Sequence, residues 1–357
     1  MTFTSGKTEK TDPRAACDNY FMTLAIEQAK LGQFTARPNP AVGCVIVKED
    51  KVIGKGFHPK AGMPHAEVFA LQDSGKLANG ATAYVTLEPC SHTGRTPPCA
   101  KALIDAGVRR VVIAGLDPNP KVAGRGVKLL ENAGIEVTVG VLTELAEALN
   151  QGFLKAMRQN LPYVRLKIAT SLDGRTAMKS GESKWITGTA ARLDVQSLRA
   201  KSGAIITGSE TVIQDNPQLN VRTAPMGVNL EDIPTPKVVI LDRRERLGFA
   251  ENSPYHLCQN PETLYYRNDD LKALLGSLVQ EHQCYDILVE AGASVAASFL
   301  AQGLVDEVIV YQAPCLLGAT GRPMVDLTFE HLSEQICFNL ISIEKLDKDL
   351  KFILKPL

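Results

Sequence analysis

The sequence predicts two consecutive α/β domains. The chain has 357 residues, which exceeds the length at which a single hydrophobic core usually stops growing. In both halves, segments with helical periodicity alternate with short β-branched runs, a pattern typical of strands covered by helices. Pro162 interrupts this pattern near the middle of the chain. We therefore expect one domain over residues 14–160 and a second over residues 161–357.

The first half begins with a helix pattern and a hairpin pattern. Apolar residues at helical spacing predict a helix in CDNYFMTLAIEQAKLG, which ends at Gly32. Two β-branched runs in AVGCVIVKEDKVIGKGF flank Glu49 and Asp50. This arrangement predicts a β-hairpin with its turn at those two residues.

Helix and strand patterns then alternate to the end of the first half. A helix is predicted near His65, followed by a strand in GATAYVTLEP, a helix in PPCAKALIDAG and a strand in VRRVVIAG. Prolines before a helix and a glycine after it, here Gly107, are typical boundaries. GRGVKLLENAG and IEVTVG repeat the helix-strand order, and a last helix is predicted from Thr143 to Arg158. The half is therefore expected to be a three-layer α/β domain.

The second half restarts with YVRLKIATSLDG, in which Val164, Leu166 and Ile168 alternate with charged residues as in a strand with one polar face. Further strands are predicted in GAIITG, PKVVILD, YDILVE and DEVIVYQA, and helices in TAARLDVQSLRAKSG and SVAASFLAQG. APMGVNLEDIPTP is expected to be a loop. These elements predict a second α/β domain.

Charge, hydropathy and cysteine usage narrow the functional classes. The 39 basic and 39 acidic residues balance, which gives no electrostatic footprint for nucleic acid or an anionic membrane. No apolar run approaches a membrane span, and the polar start of the chain lacks the hydrophobic region of a signal peptide. The 8 cysteines are expected to be thiols or metal ligands. We expect a cytoplasmic protein that acts on small molecules.

Two segments, PHAEVFALQ and TLEPCSHTGRTPPC, hold candidate metal ligands. One imidazole from His65 and two thiolates from Cys90 and Cys99, with a fourth position left for water, are the composition of a catalytic zinc site. Zinc lowers the pKa of a bound water to roughly 7, and Glu67 is a carboxylate that can carry protons beside it. The order H-x-E, then P-C, then a second cysteine is the pattern of zinc-dependent base deaminases.

Alternatives to this zinc site stay open from the residues alone. Glu67 would also be favourable in an exposed first helical turn, near the positive end of the helix dipole. Eight residues separate Cys90 from Cys99, where the usual gap is C-x-x-C, and His92 is a competing ligand. A structural metal, or none, is the simplest alternative, although Glu67 would have no purpose in a closed site. The other six cysteines are expected to be packed thiols.

Further segments carry a resemblance to a known family. They are PNPAVGCVIV, SHTGRTPP, DPNPKVAGRG, SLDGRTA, SGESKWITG, LRAKSGAIITGSETVIQDNPQLNVR and VDEVIVYQAPCLLG. With the zinc motif, they resemble the bifunctional deaminase/reductase family of riboflavin biosynthesis, over nearly the whole chain after residue 17. The resemblance implies a cytidine-deaminase-like three-layer domain followed by a dihydrofolate-reductase-like α/β domain.

The resemblance implies two consecutive reactions. The first is zinc-dependent hydrolytic deamination of 2,5-diamino-6-(5-phosphoribosylamino)pyrimidin-4(3H)-one. The second is NADPH-dependent reduction of the ribosyl group, which gives 5-amino-6-(5-phosphoribitylamino)uracil. One zinc ion per chain is implied at His65, Cys90 and Cys99, with Glu67 as the proton carrier. Asn39 and, less directly, Arg95 are implied to contact the substrate.

In the second domain the resemblance implies three groups of residues. Those that would bind the substrate are Ser183, Arg199, Leu219, Arg222 and Glu290. Those that would bind NADPH are Ala169, Trp185, Thr211, Asp215, Gly292, Ala293, Ser294, Val295, Ala296, Ala297 and Ser298. Asp215 and Lys167 are the catalytic candidates, with Lys167 orienting the sugar or supporting proton transfer.

Physical arguments support these roles unequally. Gly292 follows the strand YDILVE and opens a helix whose free backbone N–H groups can receive phosphate. The sequence has no G-x-G-x-x-G, so the residues alone leave the cofactor open. Asp215 could instead form an Asx turn, and Trp185 could pack in a core. Glu290 ends a predicted strand before a glycine turn, a position that favours a site.

Two rival functions differ in class. An editing deaminase would act on nucleic acid, but it should have a basic surface and the short C-x-x-C gap. The second half could also be a ligand-binding or assembly module without reductase activity. Cofactor-dependent turnover would distinguish a reductase from such a module. We expect the partners to be phosphoribosyl pyrimidines, and neither nucleic acid nor a membrane. We also expect a homo-oligomer, although the sequence does not specify the number of subunits.

Overall fold

The computed structural model describes residues 12–91, 98–119 and 123–357 and divides the chain into two compact units. The first unit ends at Asn150 and the second is Gln151–Leu357. This division falls before residue 160, the expected end of the first domain. The reason is that helix Gln151–Gln159 packs against strands of the second unit.

The first unit contains, over the described residues, a five-stranded sheet. Its strands are β1 (Gly43–Lys48), β2 (Lys51–Phe57), β3 (Thr82–Val85), β4 (Arg110–Ile113) and β5 (Glu136–Val139). Its helices are α1 (Pro13–Leu31), α2 (Ala66–Ser74), α3 (Cys99–Asp105), α4 (Arg125–Asn132) and α5 (Thr143–Glu147). The strand order is β2-β1-β3-β4-β5. Strand β1 pairs antiparallel with β2 and β3, whereas β3, β4 and β5 are parallel.

Helices cover both faces of this sheet. Successive side chains of β1 point to opposite faces, as the strand geometry requires. Cys44 and Ile46 pack with residues of α2, α3 and α4, whereas Val45 and Val47 pack with residues of α1 and α5. The predicted three-layer α/β architecture is confirmed.

The predicted continuous helix from Thr143 to Arg158 is wrong. The structure has α5 and then a separate helix, α6 (Gln151–Gln159), with Asn150 between them. The backbone N–H of Ala41 donates to Asn150 Oδ1 at 2.7 Å, and Asn150 Nδ2 donates to the carbonyl of Ala41 at 2.9 Å. These two buried hydrogen bonds hold Asn150 against the body of the first unit, so the chain changes direction where the periodicity continues.

The second unit contains, within the described chain, an eight-stranded sheet of order β10-β9-β8-β11-β6-β12-β15-β14. Its strands are β6 (Tyr163–Ser171), β8 (Ala204–Gly208), β9 (Lys237–Leu241), β10 (Leu264–Tyr266), β11 (Asp286–Val289), β12 (Glu307–Ala313), β14 (Phe338–Leu346) and β15 (Asp349–Pro356). A small sheet pairs β7 (Arg175–Ala177) with β13 (Arg322–Pro323). The helices are α6, α7 (Thr189–Lys201), α8 (Ser209–Asp215), α9 (Leu271–Gln280) and α10 (Ala293–Ala301).

The strands and helices predicted in the second half are all present, but several further elements were not predicted. Helices α8 and α9, strand β10 and the hairpin of β14 and β15 were missed. In β15 the inward positions include Asp349 and Lys351. Asp349 accepts a hydrogen bond from the backbone N–H of Gly188 at 2.6 Å, and the Lys351 ammonium lies 2.6 Å from the carboxylate of Asp194. Polar residues that are buried through such pairing hide the apolar alternation of a strand.

The parallel strands β6, β8 and β11 end at one edge of the large sheet. Helix α8 begins directly after β8, and α10 begins shortly after β11. In open α/β sheets ligands bind in the crevice outside such carboxyl ends.

Among the described helices, none combines the length and the apolar character that crossing a membrane requires.

Strand β2 and helix α2 approach each other closely at Gly56. A Cβ atom added there would lie 2.3 Å from the carbonyl oxygen of Ala66 and 2.6 Å from the backbone nitrogen of Ala70. Real side chains do not tolerate such distances, so the absence of a side chain at Gly56 sets how close α2 can lie to the sheet. The residue before α2 is His65.

We expect Gly56→Ala to destabilise the first unit by about 1–3 kcal/mol, because the added methyl group overpacks the interface with α2. Urea unfolding followed by circular dichroism measures the change. Gly115→Ala is the matched control, because its added Cβ would have its nearest neighbour, Thr143 Cγ2, at 3.7 Å. Equal unfolding midpoints for the two variants would contradict this account of the interface.

Candidate functional site

Three possible metal ligands converge in the first unit. His65 immediately precedes α2, Cys99 begins α3, and Cys90 follows β3. His65 Nδ1 lies 3.7 Å from Cys90 Sγ and 3.3 Å from Cys99 Sγ, and all three ligand atoms lie within 4.8 Å of one another. Around a tetrahedral zinc ion with Zn–S and Zn–N distances of about 2.3 and 2.0 Å, neighbouring ligand atoms are about 3.6 Å apart. The cluster therefore has the dimensions of a zinc site.

The contacts of Cys90 favour its thiolate, the form that binds zinc. The Cys99 side chain donates a hydrogen bond to Cys90, which lowers the pKa of the Cys90 thiol and raises that of Cys99. The backbone N–H of Cys99 also donates to Cys90 Sγ at 3.3 Å. Donors of this kind stabilise negative charge on sulfur.

Glu67 lies in the first turn of α2, beside the cluster, and is only 3% exposed. Its Oε2 has no hydrogen-bond partner among the described residues, and burial raises the pKa of Glu67 to about 7. The exposed-turn alternative is therefore wrong. A buried carboxyl group with a free oxygen and a pKa near neutrality has the properties of a general acid and base.

Asn39 is held near the cluster by a histidine that the sequence analysis did not select. His58 Nδ1 lies 3.1 Å from the carbonyl oxygen of Pro64, which can only accept, so Nδ1 carries the proton. The other ring nitrogen, Nε2, then accepts a hydrogen bond from Asn39 Nδ2 at 3.0 Å. The rings of His58 and His65 are 5.3 Å apart. No motif marks His58 in the sequence; its role depends on tertiary contacts.

Glu88 is a second residue that the sequence analysis missed. It is 4% exposed and lies two positions before Cys90. Its carboxylate accepts hydrogen bonds from the backbone N–H groups of Gly124 and Gly126 at 2.9 Å and of Asp117 and Val127 at 3.3 Å. It thereby fixes the described ends of the segment between β4 and α4 beside the cluster. A glutamate at the end of an apolar strand, as in TLEP, is a signal for a buried anion that needs donors.

The remaining candidates of the first unit do not add to the cluster. His92, the alternative ligand, and Arg95, the further substrate candidate, lie outside the described residues. None of the eight cysteines forms a disulfide. Of the six that were expected to be packed thiols, Cys44, Cys258 and Cys284 are buried and Cys17 and Cys315 are partly buried, but Cys337 is exposed, so the prediction is wrong for Cys337. Within the described chain, the only group of three His, Cys or acidic side chains with metal-binding spacing is the one at His65.

The second unit has a cavity of about 720 Å³ at the carboxyl edge of its parallel strands. Of the predicted residues, those that line it are Lys167, Ala169, Ser183, Trp185, Arg199, Thr211, Asp215, Leu219, Arg222, Glu290, Gly292, Ala293, Ser294 and Val295. Ala296, Ala297 and Ser298 lie further along α10 and are not on the lining. The first two are buried, and Ser298 Oγ donates to the carbonyl of Ser294 at 3.0 Å.

A buried ion pair occupies the floor of this cavity. Arg199 Nε and Nη2 donate to the two carboxylate oxygens of Glu290 at 2.6 and 3.0 Å, a bidentate arrangement that is strong and directional. Burial opposes the ionisation of Glu290, but Arg199 holds its pKa below the usual value. Lys167 Nζ lies 3.9 Å from the same carboxylate, and burial lowers the pKa of Lys167 against the attraction of Glu290.

Neither Asp215 nor Trp185 has the purely structural role that was the simplest alternative for it. Ser183 Oγ donates to Asp215 Oδ1 at 2.9 Å, and Lys184 Nζ donates to the Asp215 carbonyl at 3.0 Å. The carboxylate of Asp215 therefore faces another segment of the lining and does not form an Asx turn. Trp185 is 71% exposed, and the Arg192 guanidinium lies 4.6 Å from its ring centroid. The core-packing alternative for Trp185 is wrong.

Comparisons with known proteins identify both units. Residues 15–115 match the family model of the cytidine and deoxycytidylate deaminase zinc-binding region, and residues 162–352 match the RibD C-terminal domain. The chain is 47% identical to the riboflavin biosynthesis protein RibD of Haemophilus influenzae, over 95% of this chain and 97% of that protein.

Solved structures agree with the sequence matches. Acinetobacter baumannii RibD, form 1, is similar with a TM-score of 0.91 and 53% identity, over 96% of this chain and 99% of that one. A Thermotoga maritima diaminohydroxyphosphoribosylaminopyrimidine deaminase/5-amino-6-(5-phosphoribosylamino)uracil reductase has a TM-score of 0.85 and 34% identity, over 96% of this chain and 100% of that one.

We expect Cys99→Ser to lose most of its zinc during dialysis against a chelator, because a hydroxyl is a much poorer ligand than a thiolate for a soft metal. Elemental analysis of the dialysed protein measures the loss. Cys44→Ser makes the same change at a buried thiol outside the cluster and should keep its zinc. If Cys99→Ser kept a full complement of zinc, the ligand assignment would be wrong, and His92 would become the leading candidate.

Proposed function

Because the chain belongs to the RibD family of riboflavin biosynthesis proteins, we propose that each of its two units carries out one step of a two-step conversion at its own site. The protein is a zinc-dependent deaminase and an NADPH-dependent reductase. It deaminates 2,5-diamino-6-(5-phosphoribosylamino)pyrimidin-4(3H)-one and then reduces the ribosyl group to ribityl. The observation that carries the two-site proposal is that each unit buries its own carboxylate, Glu67 or Glu290, beside a cluster of chemically active groups.

In the first unit, we assign His65, Cys90 and Cys99 as the zinc ligands. A bound zinc ion supplies the charge that makes water a nucleophile at neutral pH. Glu67 accepts a proton from the attacking water at its free Oε2 and transfers protons to the substrate, so that the amino group leaves as ammonia. We assign Asn39, which is held by His58, as a contact to the pyrimidine.

In the second unit, we assign the cavity to the phosphoribosyl substrate and NADPH. NADPH supplies the hydride for the reduction. We assign Lys167 as the proton donor, because it lines the cavity and burial lowers the pKa of its ammonium group, which makes proton release easier. The carboxylate of Glu290, fixed by Arg199, holds Lys167 in place. Asp215, anchored by Ser183, positions the cofactor side of the cavity.

We expect Glu67→Gln to abolish deamination and to leave reduction of the deaminated ribotide nearly unchanged. Glutamine keeps the size of the side chain but cannot carry a proton, and loss of a positioned acid and base typically costs about a hundredfold to ten-thousandfold in rate. Zinc content should stay constant, because Glu67 is not assigned as a ligand. The two assays are ammonia release from the diamino substrate and NADPH consumption with the aminouracil substrate.

Two further variants complete this experiment. Glu144→Gln makes the same change at an exposed glutamate in the first turn of α5 and should leave both activities intact. Asp215→Asn should lower NADPH consumption and leave ammonia release unaffected. If Glu67→Gln lost both activities while it remained folded and zinc-loaded, the proposal of two independent sites would be wrong.

We propose that the partners are small phosphoribosyl pyrimidines, with no nucleic acid or membrane, and that the protein acts in the cytoplasm. The formal net charge of zero supports a small substrate, because nucleic-acid binding requires a basic surface. The absence of a disulfide among the eight cysteines, all of which lie in the described residues, supports a reducing compartment.

We also propose that the chain forms a homo-oligomer through the edge strand β14. This strand pairs only with β15 among the described strands. Leu340, Ile341 and Ile343 are 54%, 54% and 55% exposed. An exposed edge strand with several apolar side chains in the open is typical of a strand that is covered by another chain.

We expect sedimentation equilibrium to give a mass above that of one chain, and Ile343→Lys to shift the protein towards the monomer. The reason is that a buried, unpaired ammonium group would oppose association. Leu332→Lys makes the same type of change at a residue that is 82% exposed and lies outside β14, and it should leave the mass unchanged. A wild-type protein with the mass of one chain would refute the oligomer.

A further inference from the structure

Arg322 lies on the lining of the cavity in the second unit, on the short strand β13. Its register partner is Ala177 on β7, which is also on the lining. Pro323, Met324 and Asp326 continue the same wall. Arg322 is therefore anchored by backbone pairing, so that its side chain extends from a fixed position at the cavity.

The guanidinium of Arg322 extends to the turn at Gly181 and to helix α8. A Cβ atom added at Gly181 would lie 3.0 Å from Arg322 Nη2 and 3.4 Å from Gln214 Oε1. Gly181, Gln214 and Glu210 all line the cavity. Glu210 of α8 forms its ion pair with Arg246, at 2.9 Å. The hydrogen bond from Arg246 lowers the pKa of Glu210, and the charge of Arg322 helps to lower it without a hydrogen bond between them.

The donors of Arg322 are not committed to other groups. Among the described residues, none forms an ion pair or a hydrogen bond with its side chain. Arg199 differs because Glu290 binds it in a bidentate manner, and Arg192 differs because it lies over Trp185 and donates to the carbonyl of Thr187 at 2.8 Å. A guanidinium on a cavity wall that makes no hydrogen bond to a carboxylate is suited to bind a phosphate.

The wall that carries Arg322 also contacts the beginning of α10. The backbone N–H of Asp326 donates to the carbonyl of Ala293 at 3.3 Å, and Ser294 Oγ donates to Asp326 Oδ2 at 3.3 Å. The N-terminus of α10 offers free backbone N–H groups towards the same cavity, as anion sites at helix ends do. The two features thus share one side of the cavity, whereas Arg222 bonds to the side chains of Gln218 and Asn220.

We infer that Arg322 is a further cofactor-binding residue, whose guanidinium binds a phosphate group of NADPH beside the start of α10. This inference rests on the proposed assignment of the cavity to NADPH. It adds a positively charged contact to the cofactor residues that the resemblance implies, none of which is a lysine or an arginine.

Titration calorimetry of the full-length protein with NADPH tests the inference. For Arg322→Met we expect the dissociation constant to rise about tenfold to a hundredfold, the range typical for losing hydrogen bonds to a charged group. Arg322→Lys should lie between the wild type and Arg322→Met, because lysine keeps the charge but not the fork of donors. Arg158→Met removes a positive charge from α6, away from the cavity lining, and should bind NADPH normally.

Two fragments of the cofactor identify the phosphate. If Arg322 binds the pyrophosphate, Arg322→Met should weaken ADP, and if it binds the 2′-phosphate, the variant should weaken adenosine 2′,5′-bisphosphate and not ADP. Ammonia release should stay at the wild-type rate in every variant, which reports that the first unit remains intact.

Unchanged affinity of Arg322→Met for NADPH would overturn the inference. A raised KM for the ribotide with unchanged NADPH affinity would do the same and would place Arg322 at the substrate phosphate. If the wild-type protein itself did not bind NADPH, the assignment of the cavity would fail first, and the inference would fail with it. The wild-type titration therefore separates the two failures.

Discussion

Burial of a carboxylate beside each site is the constraint on which the rest of the protein's chemistry depends. An ionised carboxylate that leaves water must gain a counter-charge, several donors or a proton. Glu290 gains Arg199 and remains charged. Glu67 has a free oxygen and a pKa raised to about 7, so it can exchange a proton near neutral pH. A carboxylate that stays charged, such as Glu290, is suited to hold neighbouring groups in position, whereas Glu67 is suited to proton transfer. These properties agree with a reductase and a hydrolytic deaminase, respectively.

Both sites depend on close approaches of the backbone that only particular residues permit. Gly56 lets α2 lie against β2, and this contact places His65 and Glu67 at the start of the helix. Glu88 satisfies four backbone N–H groups around the start of α4, which holds the neighbouring segment near Cys90. Because these contacts are tightly packed, a small change in side-chain volume at them should alter the geometry of the metal ligands more than an equal change at the surface.

The sequence was sufficient to predict residues whose chemistry requires a particular side chain in a particular order. His65, Glu67, Cys90 and Cys99 are of this kind, and the alternation of strands and helices predicted both α/β units. Residues selected by tertiary contact could not be predicted: Asn150 ends a helix through its bonds to Ala41, and His58 matters because Pro64 and Asn39 fix its tautomer. No local pattern distinguishes such residues from ordinary polar ones. The hairpin of β14 and β15 was missed because β15 buries two polar residues, Asp349 and Lys351, at positions where a strand pattern would have apolar ones.

The contacts of the arginines in the second unit change which of them we expect to bind a phosphate group in the cavity. The resemblance assigns both Arg199 and Arg222 to the substrate, but Arg199 commits Nε and Nη2 to Glu290 and directs Nη1 to the carbonyl of Asn220 at 3.2 Å. Removing it from that pair would leave Glu290 buried without its main counter-charge, which is far more costly than losing a surface contact. We therefore propose that Arg199 acts mainly on Glu290 and, through it, on Lys167, and that phosphate is bound by guanidinium groups that make no hydrogen bond to a carboxylate.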